Sequence, residues 1–88
     1  DVDGDWQNFI KSFDEVHTNF YKRLHETFKD LSPNDYKMCT YLRMNLTTKE
    51  IATLMNISIR SVETNRYRLR KKLGLDSETN LTQFLMTF

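Results

Sequence analysis

Apolar residues recur at steps of three and four along most of this 88-residue chain, and this spacing constrains the fold more than any other feature. It is the spacing of helices that bury one face, and it does not fit the alternation of a strand. Only two glycines and one proline are present, which leaves few residues for the tight turns of a sheet. The sequence therefore predicts an all-α fold with one modest core, because a domain of this length buries roughly 60–65% of its unfolded surface.

The leading segment, residues 1–30, is predicted to be one long amphipathic helix over about residues 5–29. At 1.5 Å per residue such a helix is ~37 Å long. We expect its aromatic stripe to pack on the rest of the chain, so that a long helix lies on a four-helix bundle; binding to a partner protein is the alternative. The stripe consists of Trp6, Phe9, Ile10, Phe13, Val16, Phe20, Leu24 and Phe28.

Helix start and stop signals predict four more helices in residues 31–88. Ser32, Thr47 and Ser58 each stand where a polar side chain caps the first turn of a helix, and Asn80 or Thr79 does so for the last helix. Gly74 stands where the third of these helices ends, and glycine favours the left-handed backbone found there. The second and third helices are separated by a turn of about three residues, which is the arrangement of a helix-turn-helix.

The two helices of this motif have distinct faces. In the first, Ile51, Leu54 and Met55 are predicted to be buried. In the second, which begins at about residue 59, Val62 and Leu69 face the core. A basic, polar and aromatic cluster lies on the opposite side: Arg60, Thr64, Tyr67 and Lys71.

Charge is distributed unevenly, although the formal net charge is only +1. Residues 1–30 carry seven acids against four bases, whereas residues 58–73 carry six bases against one acid. A local basic segment on a near-neutral domain indicates an anionic partner. A helix of this kind fits the major groove of DNA, while a solvated helix face is the alternative that charge alone leaves open.

Four motifs in this order resemble the LuxR/GerE-type helix-turn-helix, the DNA-binding output domain of many bacterial response regulators of two-component systems. They are Leu31-Ser32-Pro33, Thr47-Thr48-Lys49-Glu50-Ile51-Ala52, Ile57-Ser58-Ile59-Arg60-Ser61-Val62 and Lys72-Leu73-Gly74. The resemblance covers residues 31–88, with the motif itself at about 48–67. It implies a transcription regulator whose helix 59–73 reads duplex DNA in the major groove, as a homodimer, with RNA polymerase as a further partner.

The resemblance also implies which residues meet DNA. At the helix starts, it implies that Thr47 and Thr48 meet phosphates and that Ser58, Arg60 and Ser61 meet phosphates or bases. Bases are faced by Glu63, Thr64 and Tyr67, and the flanking backbone by Arg68, Lys71 and Lys72. The dimer contact is implied for Leu81, Phe84, Leu85 and Phe88. Two positions depart from the family. Asn65 replaces a common histidine, and the acidic Glu63 stands where the family often has a basic residue.

Two residues near this face are expected to have structural roles. Glu50 is predicted to complete the cap with Thr47, or to accept an ion pair from Arg66 or Arg70. Arg66 points too near the core for groove contact, so its stem is expected to pack while its head is paired.

Other function classes fit the chain less well. No nucleophile stands beside a base, so an enzyme is not expected. The single Cys39 excludes an internal disulfide and a cysteine zinc site, and His17 and His25 are too far apart for a metal pair; neither metal nor cofactor is predicted. A protein-binding helical module that uses the first helix, and a promoter-reading sigma-factor domain, remain as alternatives.

The chain begins at Asp1 without an initiator methionine, and we expect it to be a fragment of a larger protein. Val16-His17 and Tyr41-Leu42-Arg43-Met44 resemble a subgroup that joins this domain to a membrane-spanning sensor. The expected location is therefore the cytoplasm, with no direct membrane contact by this fragment.

Overall fold

The structure, a computed structural model, describes residues 2–17 and 19–88, and these residues form helices and connecting loops without a strand. This confirms the predicted all-α fold. Within the same ranges, no helix is both long enough and apolar enough to cross a membrane. The helices are α1 (Val2–Val16), α2 (Phe20–Thr27), α3 (Pro33–Arg43), α4 (Thr48–Met55), α5 (Ile59–Lys72) and α6 (Leu81–Leu85).

The leading segment is two helices, so the prediction of one continuous helix over 5–29 is wrong. Between α1 and α2, Asn19 has a φ of 67° in the left-handed region, which a right-handed helix cannot include. Phe13 and Phe20 are nevertheless both buried, on either side of the break, whereas Val16 of the same stripe is 77% exposed. Phe13 and Phe20 thus share the core although they lie on different helices, whereas Val16, the last residue of α1, faces solvent.

The predicted helix starts are confirmed by their hydrogen bonds. The side chains of Ser32, Thr47, Ser58 and Asn80 each accept a backbone N–H from the first turn of their helix. At Ser32 and Thr47 a carboxylate three residues later accepts the N–H of the cap in return, which completes a capping box. After α5, Gly74 has a φ of 70° and ends the helix as predicted.

One core joins α1 and α2 to the four helices that follow. Leu54 is not part of it: the prediction that it is buried is wrong, because α5 packs on the Ile51 and Met55 side of α4 and Leu54 lies 57% exposed on the other. The buried apolar residues are Phe13, Phe20, Leu24, Leu31, Met38, Cys39, Leu42, Ile51, Ala52, Val62, Leu69, Leu73, Leu81 and Leu85.

Aromatic rings attach the leading helices to the rest of the chain. The rings of Trp6 and Phe9 on α1 lie 6.0 and 6.2 Å from that of Tyr41 on α3. Phe28, just after α2, lies 6.1 Å from Phe84 on α6. These contacts, together with the buried phenylalanines, place the leading segment on the domain that carries the helix-turn-helix.

Candidate nucleic-acid interface

The turn between α4 and α5 is held by backbone geometry and by the core. Asn56 has a φ of 55°, the left-handed conformation that ends α4, and the N–H of Ile57 donates to the carbonyl of Ala52 at 3.0 Å. Between the two helices, Ile51 and Val62 are completely buried. The inner side of α5 is therefore fixed on α4, and its opposite side faces solvent.

The outer face of α5, as we call that solvent-facing side, presents polar, basic and aromatic groups. Tyr67 is 60% exposed, and the ammonium of Lys71 lies 4.6 Å from the centroid of its ring. This cation–π contact orients both side chains beside each other. The structure brings together on this face, all exposed, Arg60, Ser61, Glu63, Thr64, Tyr67, Arg68 and Lys71.

The starts of α4 and α5 lie at the edge of this face, and their side chains already have partners. Thr47 and Ser58 are caps, and the Ser58 hydroxyl also donates to the hydroxyl of Ser61 at 2.9 Å. The carboxylate of Glu50 accepts the backbone N–H of Thr47 at 2.9 Å, and hydrogen bonding with Thr47 lowers the pKa of Glu50. This carboxylate therefore completes the cap, and no arginine of the described residues forms an ion pair with it. The hydroxyl of Thr48 accepts a hydrogen bond from Nη1 of Arg66 at 3.0 Å.

Three of the six basic side chains of α5 form hydrogen bonds or an ion pair with other groups of the chain. Besides Arg66, Nη1 of Arg70 donates to two backbone carbonyls of the loop that follows α5. Lys72 forms an ion pair with Asp35 of α3; burial opposes ionisation there, but the hydrogen bonds from Lys72 and from the Ser32 cap lower the pKa of Asp35. Among the residues described, the bases of α5 without a hydrogen-bond or ion-pair partner are Arg60, Arg68 and Lys71.

The implied dimer residues of α6 divide into two groups. Leu81 and Leu85 are 1% and 0% exposed within a single chain, so they offer little surface to a second copy, and the dimer contact implied for them stays a prediction. They belong to the core because α6 packs on α3. Phe84 and Phe88 are half-buried, and their rings lie against Phe28. For these two as well, the dimer contact stays a prediction.

Little in the described part of the chain points to catalysis or metal binding. No group of three or more His, Cys, Asp and Glu residues is placed there to hold a metal ion. Burial, with a smaller contribution from the charge of Asp35, raises the pKa of the Cys39 thiol to about 12, so it is not a nucleophile at neutral pH.

Sequence comparison agrees with this geometry. A family model described as "GerE: Bacterial regulatory proteins, luxR family" matches residues 29–85, a span that contains α3, α4, α5 and α6. Searches of curated proteins and of solved structures found no match to the chain. The match covers well over half of the chain and coincides with the helix-turn-helix. The chain thus belongs to the luxR family of bacterial regulatory proteins and carries a helix-turn-helix DNA-binding domain.

Proposed function

We propose that this domain binds duplex DNA sequence-specifically by placing α5 in the major groove, as the output domain of a transcription regulator or sensor. The observation that supports this most is the outer face of α5, which is exposed along its length while the opposite side is fixed on α4 by buried residues. The major groove admits one α-helix, and contacts to base edges there distinguish all four base pairs. We also propose that residues 31–88 form the DNA-binding unit and that residues 1–30 support it.

The proposed contacts divide into reading and holding. Thr64 offers a hydroxyl and a methyl, Tyr67 a ring and a hydroxyl, and Glu63 an acceptor for a cytosine amino group; these three would read bases. Phosphates would be met at the helix starts and flanks by Thr47, Thr48, Ser58, Arg60, Ser61, Arg68 and Lys71. Lys72 would be the weakest of the phosphate contacts, because its ammonium already pairs with Asp35.

The salt dependence of DNA binding should reflect the basic side chains that are free to meet phosphate, and not all six basic residues of α5. If Arg60, Arg68 and Lys71 each neutralise one phosphate, log K should fall with log salt at a slope of about −3 per domain. Arg68→Ala should reduce this slope by about 0.9, whereas Lys72→Ala should change it much less. Titrating a duplex at several salt concentrations measures both, and a flat salt response of the unaltered protein would contradict DNA binding by this face.

Base reading should be separable from phosphate holding. We expect Thr64→Ala and Tyr67→Ala to cost ~1–3 kcal/mol on the preferred duplex and much less on a scrambled one, because base contacts specify sequence. Arg68→Ala is the matched control and should weaken both duplexes about equally. The measurement requires a duplex selected from random DNA with the purified protein. An even loss for all three variants on both duplexes would mean that the outer face of α5 is only an electrostatic footprint.

A homodimer on two half-sites is a further proposal, with RNA polymerase as an additional partner and the cytoplasm as the place of action, without direct membrane contact by this fragment. Since Leu81 and Leu85 are internal, the contact would use the outer side of α6, where Met86 is 46% exposed beside the half-buried Phe84 and Phe88.

The alternative of a protein-binding module is less well supported. Its working surface would be the phenylalanine-rich leading segment, but Phe13, Phe20 and Leu24 of that stripe are buried in the domain's own core. Salt-dependent binding to duplex DNA distinguishes the two functions.

A further inference from the structure

We infer that Arg66 is a positioning residue for DNA reading, which holds the start of α4 at a fixed place against the middle of α5 through Thr48. This role rests on the proposed function, because it concerns how the phosphate contacts at the start of α4 are aligned with the base contacts on α5. Arg66 itself would not meet DNA.

The position of Arg66 on α5 explains how its side chain reaches α4. It follows the buried Val62 by four residues and precedes the buried Leu69 by three, so its stem leaves from the inner side of the helix. The side chain is half-buried, and its Nη1 donates to the Thr48 hydroxyl at 3.0 Å. A charge-assisted hydrogen bond therefore joins the first residue of α4 to the middle of α5.

Buried apolar contact with α5 does not reach this end of α4, although Leu46, just before the cap, packs against the core. The buried contact with α5 begins one turn later, at Ile51 and Ala52. At the level of Thr48 the seam between the helices is instead an open groove of about 290 Å³, bordered on α5 by Glu63 and Tyr67. The hydrogen bond from Arg66 to Thr48 spans this groove and joins the start of α4 to α5.

The consequence for recognition is geometric. Phosphate contacts set the register of a protein on the duplex, and base contacts then read the sequence. A tilt at the start of α4 would shift the contacts of Thr47 and Thr48 relative to Glu63, Thr64 and Tyr67. A functional contact tolerates a displacement of only about 0.5 Å. Loss of the hydrogen bond between Arg66 and Thr48 should therefore reduce discrimination between DNA sequences more than it reduces general affinity for DNA.

The test uses Arg66→Met, which keeps an apolar stem and removes the donor, and Thr48→Val, which keeps the shape and removes the acceptor. Affinity is measured for the selected and scrambled duplexes, at several salt concentrations. We expect Arg66→Met to lower the ratio of the two affinities about tenfold, the loss for one misplaced base contact, while leaving the salt slope unchanged. The double variant should lose no more of the ratio than Arg66→Met alone.

Three results would overturn this role. The first is an Arg66→Met protein with a salt slope reduced by about 0.9 and an intact affinity ratio, which would mean that Arg66 contacts a phosphate directly. The others are additive losses of the ratio in the double variant and an unchanged ratio in Arg66→Met. Thermal unfolding of each variant checks the fold. Should Arg66→Met fail to fold, Thr48→Val decides alone. Loss of a phosphate contact at Thr48 would weaken binding to both duplexes equally, whereas loss of the hydrogen bond from Arg66 should lower the ratio of the two affinities. If the unaltered protein shows no preference for any duplex, the proposed function fails, and that result is distinct from the three above.

Discussion

Leu85→Glu should unfold the domain at ordinary temperature, because the new carboxylate would lie where a leucine is 0% exposed. Burying an unpaired charge costs several kcal/mol, and the leucine's own packing is lost as well. The total stability of a domain is only about 5–15 kcal/mol. Circular dichroism during thermal unfolding measures the effect.

Met86→Glu is the matched control, because the next residue along the chain is 46% exposed. A surface substitution there should change stability by no more than about 0.5 kcal/mol. If two copies meet through the outer side of α6, this variant should stay folded and lose cooperative binding to paired half-sites. Unchanged cooperativity would remove that side of α6 from the dimer proposal, and a fully stable Leu85→Glu protein would contradict the placement of Leu85 in the core.

Phe20→Ala should cost ~3–5 kcal/mol of the free energy of unfolding, because truncating a buried phenylalanine opens a large cavity. Phe20 is 1% exposed, and its ring meets those of Phe13 and Tyr21 edge to face at 5.6 and 5.8 Å. Phe13→Ala should have a similar but smaller effect, since that ring is 6% exposed. Urea unfolding, with the slope against denaturant as a check on two-state behaviour, gives the values.

Val16→Ala is the control for this series. Val16 belongs to the same apolar stripe of the sequence but is 77% exposed, so the substitution should cost no more than about 0.5 kcal/mol. A single continuous helix would place the three residues on one side, and Val16→Ala would then cost clearly more than a surface substitution. A small loss for Phe20→Ala would instead show that the leading helices are not part of the cooperative core.

Local signals predicted the helix starts correctly because each cap involves atoms only three residues apart. The sequence does not indicate the break at Asn19, because neither proline nor glycine marks it. Spacings of three and four also fit two helices on one core as well as they fit one helix. Leu54 was misplaced because the stripe of α4 has apolar residues on both flanks, and only the position of α5 decides which flank is covered.

The candidate site shows the same division between local and distant contacts. The spacing of residues on α5 was sufficient to predict which of them face outward. It could not show that Lys72 pairs with Asp35, 37 positions away in sequence, or that Arg70 donates to the carbonyls of a loop. For α6, the apolar pattern identified the buried face of the helix, but it did not show whether the chain itself or a second copy covers Leu81 and Leu85.

The internal use of Arg66, Arg70 and Lys72 bears on how such a protein would find its site among many others. Affinity for arbitrary DNA comes from phosphate neutralisation, and each outward base removed from that role weakens it. Half of the basic side chains of α5 are hydrogen-bonded or ion-paired to α3, to α4 or to a loop. Encounters with DNA of random sequence would therefore be brief. A genome offers a great excess of competing sites, so occupancy of the right one depends on the ratio between specific and non-specific binding. Engaging these side chains within the fold would keep them away from phosphate and so raise that ratio.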